Sequence, residues 1–131
     1  MPWATDNDAY WNWNPEAYRT MLLKIIGLPN CKFVSCPDIV CNPEGTLDRW
    51  NQWFPVIKQT GLPIAFVGQD GCENSEIPWD EMDAFFIGGS TDWKLSIAAE
   101  GLVREAKRRN LWTHMGRVNS ERRFRLAYSW G

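Results

Sequence analysis

The chain has 131 residues, with 14 Lys and Arg against 16 Asp and Glu, for a formal charge of −2. That length fits one domain able to bury its own core, and 44% hydrophobic with 23% charged residues is a globular composition rather than a disordered one. The near-neutral balance argues against general polyanion binding by the whole chain, and the longest apolar run is far too short to span a membrane.

Taken in chain order, "PWATDN" reads as a short strand stub. "NPEAYRTMLLKIIG" (Asn14–Gly27) follows, with an N-capping Asn, Pro at the first helical position and an apolar face of Tyr18, Met21, Leu22, Ile25 and Ile26. "CKFVSCPD" (Cys31–Asp38) is a β-type run closed by Pro-Asp. "NPEGTLDRWNQWFPVIKQTG" (Asn42–Gly61) repeats the Asn-Pro-Glu start and places Leu47, Trp50, Phe54 and Ile57 at helical spacing. Pro55 is expected to kink or split it. "LPIAFVGQDG" (Leu62–Gly71) is a strand and its exit, "IPWDEM" (Ile77–Met82) a single helical turn, and "DAFFIGG" (Asp83–Gly89) a fully apolar strand. "WKLSIAAEGLVREAKRRN" (Trp93–Asn110) is the clearest helix, with Lys94 expected at its surface. "LWTHMGRV" reads as a strand, and the chain after Asn119 and Ser120 as a helix to about Trp130.

The order is βαβαβαβαβα with short connections. Apolar strands alternating with amphipathic helices imply a parallel sheet with right-handed crossovers. The expected fold is α/β, a single domain over 1–131 of about five βα units, either an open sheet or part of a (βα)₈ TIM-type barrel.

Such folds place chemistry at the carboxyl ends of their strands. Those ends carry Asp6 and Asn7; Pro37 and Asp38; Gly68, Gln69, Asp70 and Gly71; Gly88, Gly89, Ser90 and Thr91; and His114, Met115, Gly116 and Arg117. Each alone reads as turn chemistry as readily as function. Together they suit a purine-like base. An Asp accepts from ring N–H and exocyclic amine, a Gln donates to a carbonyl, and Gly-Gly lets a flat ring approach bare backbone. His114 alternates with Trp112 and Gly116, so it faces the barrel interior if Met115 faces out, as a ligand contact or a hydrogen-bonded core histidine. Arg117, Arg122 and Arg123 beside a Ser/Asn helix start suit a phosphate; a salt-bridged exposed helix is the competing reading.

Nine tryptophans is a high count, and Trp3, Trp11, Trp13, Trp79 and Trp93 fall near loops, as stacking platforms or as core-edge packing. The four cysteines (Cys31, Cys36, Cys41, Cys72) fit no common zinc spacing, and there is one histidine, so no metal or cofactor is implied. No leader pattern opens the chain, which points to the cytoplasm and reduced thiols.

The rim motifs, in this order, resemble the tRNA-guanine transglycosylase family. "TDN" (Thr5–Asn7) looks like its Thr-Asp-Ser segment, "CPD" its base-reading Asp, "AFVGQDG" its Val-Gln-Gly-Gly strand end, "FFIGGS" its Gly-Gly strand, and "HMGRVNSERRFRLAYSWG" its Met-Gly-Val-Gly-Thr-Pro segment and helix. The resemblance, which also looks toward shortened phage and bacterial relatives, implies exchange of guanine or a 7-deazaguanine at an N-glycosidic bond in tRNA or DNA. By it Asp6 is the general acid/base, Asp38 and Gln69 read the base edge, and Gly88, Gly89, Ser90, His114 and Gly116 line its site.

The chain departs from the family in three places, the first being Asn7-Asp8-Ala9 where the family has Ser-Gly-Gly after its first Asp. It stops at Gly131, where the family continues into a strand with the nucleophilic Asp, and it lacks the family's zinc site. Asp38 and Asp70 are the remaining carboxylate candidates for attack, and neither matches that position. The chain is therefore expected to be a fragment, to need a second copy, or to bind a base or nucleic acid without exchanging it; an unrelated α/β ligand binder is the third reading. Open strand edges of a part-barrel lead us to expect a homo-oligomer.

Overall fold

The computed structural model describes residues 3–5 and 13–115. Five strands, β1 (Trp3–Thr5), β2 (Cys31–Ser35), β3 (Ile64–Gly68), β4 (Ala84–Ile87) and β5 (Trp112–Met115), alternate with α1 (Pro15–Ile25), α2 (Pro43–Lys58), and α3 (Thr91–Lys94) followed by α4 (Ile97–Arg108). Every neighbouring pair is parallel and the spatial order equals the sequence order. Right-handed crossovers that always step the same way must put every helix on the same face. The packing agrees. Tyr18 and Leu22 of α1, Trp50, Trp53 and Ile57 of α2, and Ala99, Val103 and Ala106 of α4 share one core with Val34, Ile64, Phe66, Phe85, Ile87 and Met115 of the strands.

The opposite face is lined by Phe33, Ala65, Ala84 and Phe86. On a flat sheet β2 and β5 would stand about 14 Å apart, three strand spacings. Yet the Phe33 ring lies 5.8 Å from the His114 ring, centroid to centroid. The sheet is therefore curled toward this face into a parallel half-barrel, with helices on the convex side.

The local reasons are visible in the sequence. Asn14 accepts from the Ala17 amide (3.1 Å) and Asn42 from the Gly45 amide (2.8 Å), each followed by Pro, so both α1 and α2 start on a satisfied N-cap. Pro55 neither splits nor ends α2, which is one element to Lys58. The long helix expected from Trp93 is two. Ser96 breaks it by accepting from the Ala99 amide (3.2 Å), which makes it the N-cap of α4. The stretch Ile77–Met82 forms turns rather than a helix, and a single 3₁₀ turn falls earlier, at Cys72–Asn74.

One irregularity matters below. Between β1 and β2, Trp3 pairs with Cys31 but Ala4 pairs with Phe33, so Lys32 is an extra residue in the ladder. A bulge of this kind interrupts the alternation of faces. Cys31 packs with the helix-side core, whereas Lys32 reaches over the ring of Trp112, 5.0 Å from its centroid.

Candidate functional site at the carboxyl ends of the strands

The ends of β2, β3 and β4 meet at one rim. Gln69, directly after β3, is completely buried. Its Nε2 donates to Asp38 Oδ2 beyond β2 (3.2 Å) and to Thr46 Oγ1 in the first turn of α2 (2.6 Å). Thr46 in turn donates to the Asn42 carbonyl (2.8 Å) and accepts from the Ile39 amide (3.1 Å). Arg49 fixes the Asp38 segment by donating to the Asp38 carbonyl oxygen (2.6 Å), while its guanidinium lies 4.9 Å from the centroid of Trp13.

Both amide hydrogens of Gln69 thus have partners inside the protein, and its Oε1 has none. This reverses the role expected from the sequence. A Gln69 held this way has its amide hydrogens committed inside the protein and keeps an unpaired carbonyl oxygen that is itself buried. An unpaired buried acceptor costs about 1–3 kcal/mol.

The neighbouring residue forms a second junction. Asp70 Oδ1 accepts from the Ser90 amide (2.7 Å) and Oδ2 from the Ser90 hydroxyl (2.6 Å), and the Cys41 thiol lies close enough to this carboxylate to help lower its pKa. Burial works to raise the Asp70 pKa, but the Ser90 hydrogen bonds and the Cys41 thiol outweigh it and hold the group below its ordinary value. One carboxylate therefore ties the loops after β3 and β4, beside the loop after β2. Both of its oxygens take part in that junction, which gives Asp70 a structural role at the rim.

The glycines are explained by the same junction. At Gly89, with φ of +81°, a Cβ would stand 2.5 Å from Asp70 Oδ1 and 3.1 Å from the Gln69 Cα. At Gly88 it would meet Val67 Cγ1 at 2.9 Å. The close approach these glycines permit is to the chain's own β3 end, and both are buried.

Asp38, Gln69, Gly88, Gly89 and Ser90 are thus brought together. His114 is placed apart from them, against the rings of Phe33 and Phe86 on the concave face, with Met115 turned to the helices. Although the residue is exposed overall, desolvation of its ring against these neighbours lowers the imidazole pKa from 6.5. Asp6, Gly116, Arg117, Arg122 and Arg123 lie outside the described residues, as does the helix expected after Ser120.

Two residues stand differently from their reading in the sequence. Lys94, expected at the surface, is 1% exposed, because the separate α3 turns its last residue inward. Of the loop tryptophans with described side chains, Trp13 packs on Tyr18 and Trp53, Trp79 on Phe85, and Trp93 is buried with its indole N–H on Glu73 (3.0 Å). These are core-edge residues. Among the described residues the exposed indole is Trp112, on a strand, and only the bulge at Lys32 would have marked it.

Among the described residues no group of three His, Cys, Asp or Glu could hold a metal ion, and no helix is long and apolar enough to cross a membrane. The geometry defines a parallel βα half-barrel with a buried polar pair at its carboxyl-terminal rim. Comparison with protein-family models, with curated proteins and with solved structures finds no match.

Proposed function

We propose that this rim binds a guanine-like base, guanine or a 7-deazaguanine, and that the chain serves exchange of that base at an N-glycosidic bond in tRNA or DNA. The observation that carries the reading is the Asp38–Gln69 pair, whose buried Gln69 Oε1 has no partner. A carboxylate and an amide carbonyl side by side are two acceptors. Guanine-type rings present two adjacent donors, a ring N–H and an exocyclic amine, whereas adenine alternates donor and acceptor. In the exchange reading Asp6 moves protons on the departing and incoming bases.

Calorimetric titration with guanine, 7-deazaguanine and adenine tests this. Guanine and 7-deazaguanine should bind and adenine should not. Asp38→Ala and Gln69→Met should each weaken guanine by about tenfold or more, the loss of one hydrogen bond to a charged or buried partner. Equal binding by both variants and the unsubstituted protein would sink the assignment.

A second reading, a base-binding module that performs no exchange, draws on the structural part Asp70 plays in holding the β3 and β4 ends together. Incorporation of labelled guanine into tRNA or DNA separates the two. Binding without incorporation selects the module.

A further inference from the structure

We propose that the concave face of the half-barrel, at Lys32, Trp112 and His114, docks a single-stranded nucleic acid. This surface is separate from the rim and the inference does not depend on the base-exchange reading.

Three observations carry it. First, the bulge in β2 turns Lys32 out of its expected place and sets its amine over Trp112, three strands away. Bulges re-aim side chains in this way beside functional surfaces. Second, aromatic rings on this face are open to solvent: Trp112 is 51% exposed, His114 is exposed and Phe86 is half-buried. Third, none of β2, β3, β4 and β5 contains an Asp or Glu, in a chain whose acids outnumber its bases.

Aromatic faces interleaved with a cation, and no acid among the described residues of these four strands, are what a flexible polyanion with stackable bases needs. Trp112 and His114 stand two residues apart on one strand, so both rings point the same way. A base stacked on the open Trp112 face brings its phosphate within reach of Lys32. A second copy of the chain is the poorer occupant. Two such faces meeting about a twofold axis would set Lys32 against a surface of like charge.

Fluorescence anisotropy of a short fluorescein-labelled oligothymidylate tests the proposal, since thymine lacks the adjacent donors the rim requires. The unsubstituted protein should bind at low salt. Trp112→Ala should weaken binding about tenfold, while Trp112→Phe, which keeps a ring, should restore most of it. Lys32→Ala should reduce the dependence of log K on log salt by about 0.7, one phosphate contact on a single strand. A thermal melt confirms that each variant is folded. No binding by the unsubstituted protein, an unchanged affinity in Trp112→Ala, or an unchanged salt slope in Lys32→Ala would overturn it. So would sedimentation showing a dimer that requires Trp112, which would assign the face to a second copy.

Discussion

Asp70 grips Ser90 twice, through the backbone amide at 2.7 Å and the hydroxyl at 2.6 Å, and so closes the end of β3 onto the end of β4. The bond pair also presets α3, because Ser90 is its N-cap and accepts from the Trp93 amide at 3.2 Å.

Replacing Asp70 with Ala should cost about 2 kcal/mol, in the range for a charged hydrogen-bonded group, and Asp70→Asn should cost less because it keeps an acceptor for the Ser90 amide. The linkage sign follows from the lowered pKa. The folded state favours the ionised carboxylate, so the contribution is present above the ordinary pKa of 3.8 and is lost as pH falls through the lower folded value. Urea melts at pH 7 and in stepwise more acidic buffers should show the unsubstituted protein converging on Asp70→Asn as the carboxyl protonates. A constant gap down to pH values below the folded pKa would contradict this.

Gly89 and Gly27 make a matched pair. Both have left-handed backbone, φ of +81° and +83°, but a Cβ at Gly27 meets nothing within 4 Å while one at Gly89 strikes Asp70 and the β3 backbone. Gly27→Ala should cost about 1 kcal/mol, the conformational penalty alone. Gly89→Ala should cost that and about 2 kcal/mol more through overpacking. Equal midpoints in chemical denaturation would show that the β4 end is not held where we describe it.

The thiols should divide into two classes. Cys36 and Cys72 are buried, and burial pushes Cys72 up to about 12 and Cys36 well above the ordinary thiol range. Cys31 is half-buried and Cys41 exposed, and burial raises both more mildly, with the Asp70 carboxylate adding to the shift at Cys41. Reaction of the native protein with an aromatic disulfide reagent at pH 8 should therefore modify Cys31 and Cys41 and spare the other two until denaturant is added. Mass mapping that finds Cys36 modified first would be incompatible with its burial.

Trp50 joins the core to the surface. It is almost fully buried, stacks near Phe54 (centroids 5.2 Å) and donates its indole N–H to Glu81 at 2.9 Å. Trp50→Phe should cost about 1–2 kcal/mol, for one hydrogen bond and part of a ring, and Trp50→Ala about 3–5 kcal/mol. Thermal denaturation that ranks the two equally would mean the cavity is refilled by its neighbours.

The fold was largely legible because its signals are local. Two Asn-Pro-Glu stretches announce α1 and α2, and apolar runs closed by glycine or Pro-Asp announce β2, β3 and β4. The rim was legible as a collection of polar strand ends, which is a consequence of parallel topology. What the chain could not disclose was direction. Gln69 turns its amide hydrogens toward Asp38 and toward Thr46, a residue 23 positions earlier in α2, and only the packed structure brings them together. The Gly88-Gly89 pair suggested a ligand against bare backbone, yet its nearest neighbours are Asp70 and Val67. Ser96 looks like one more helical position until its hydroxyl takes the Ala99 amide. The bulge at Lys32 depends on how β1 pairs with it, which no window of sequence around Lys32 contains.

The agreement between spatial and sequence order of the strands has a consequence for how the molecule is made. Each new strand needs only the one synthesised just before it, so the wall can grow by addition at one side while the polypeptide is still emerging. No strand has to be held open for a later arrival from the far end. Loop closure then stays short at every step, and folding should run faster than in a sheet of the same size whose central strands come last.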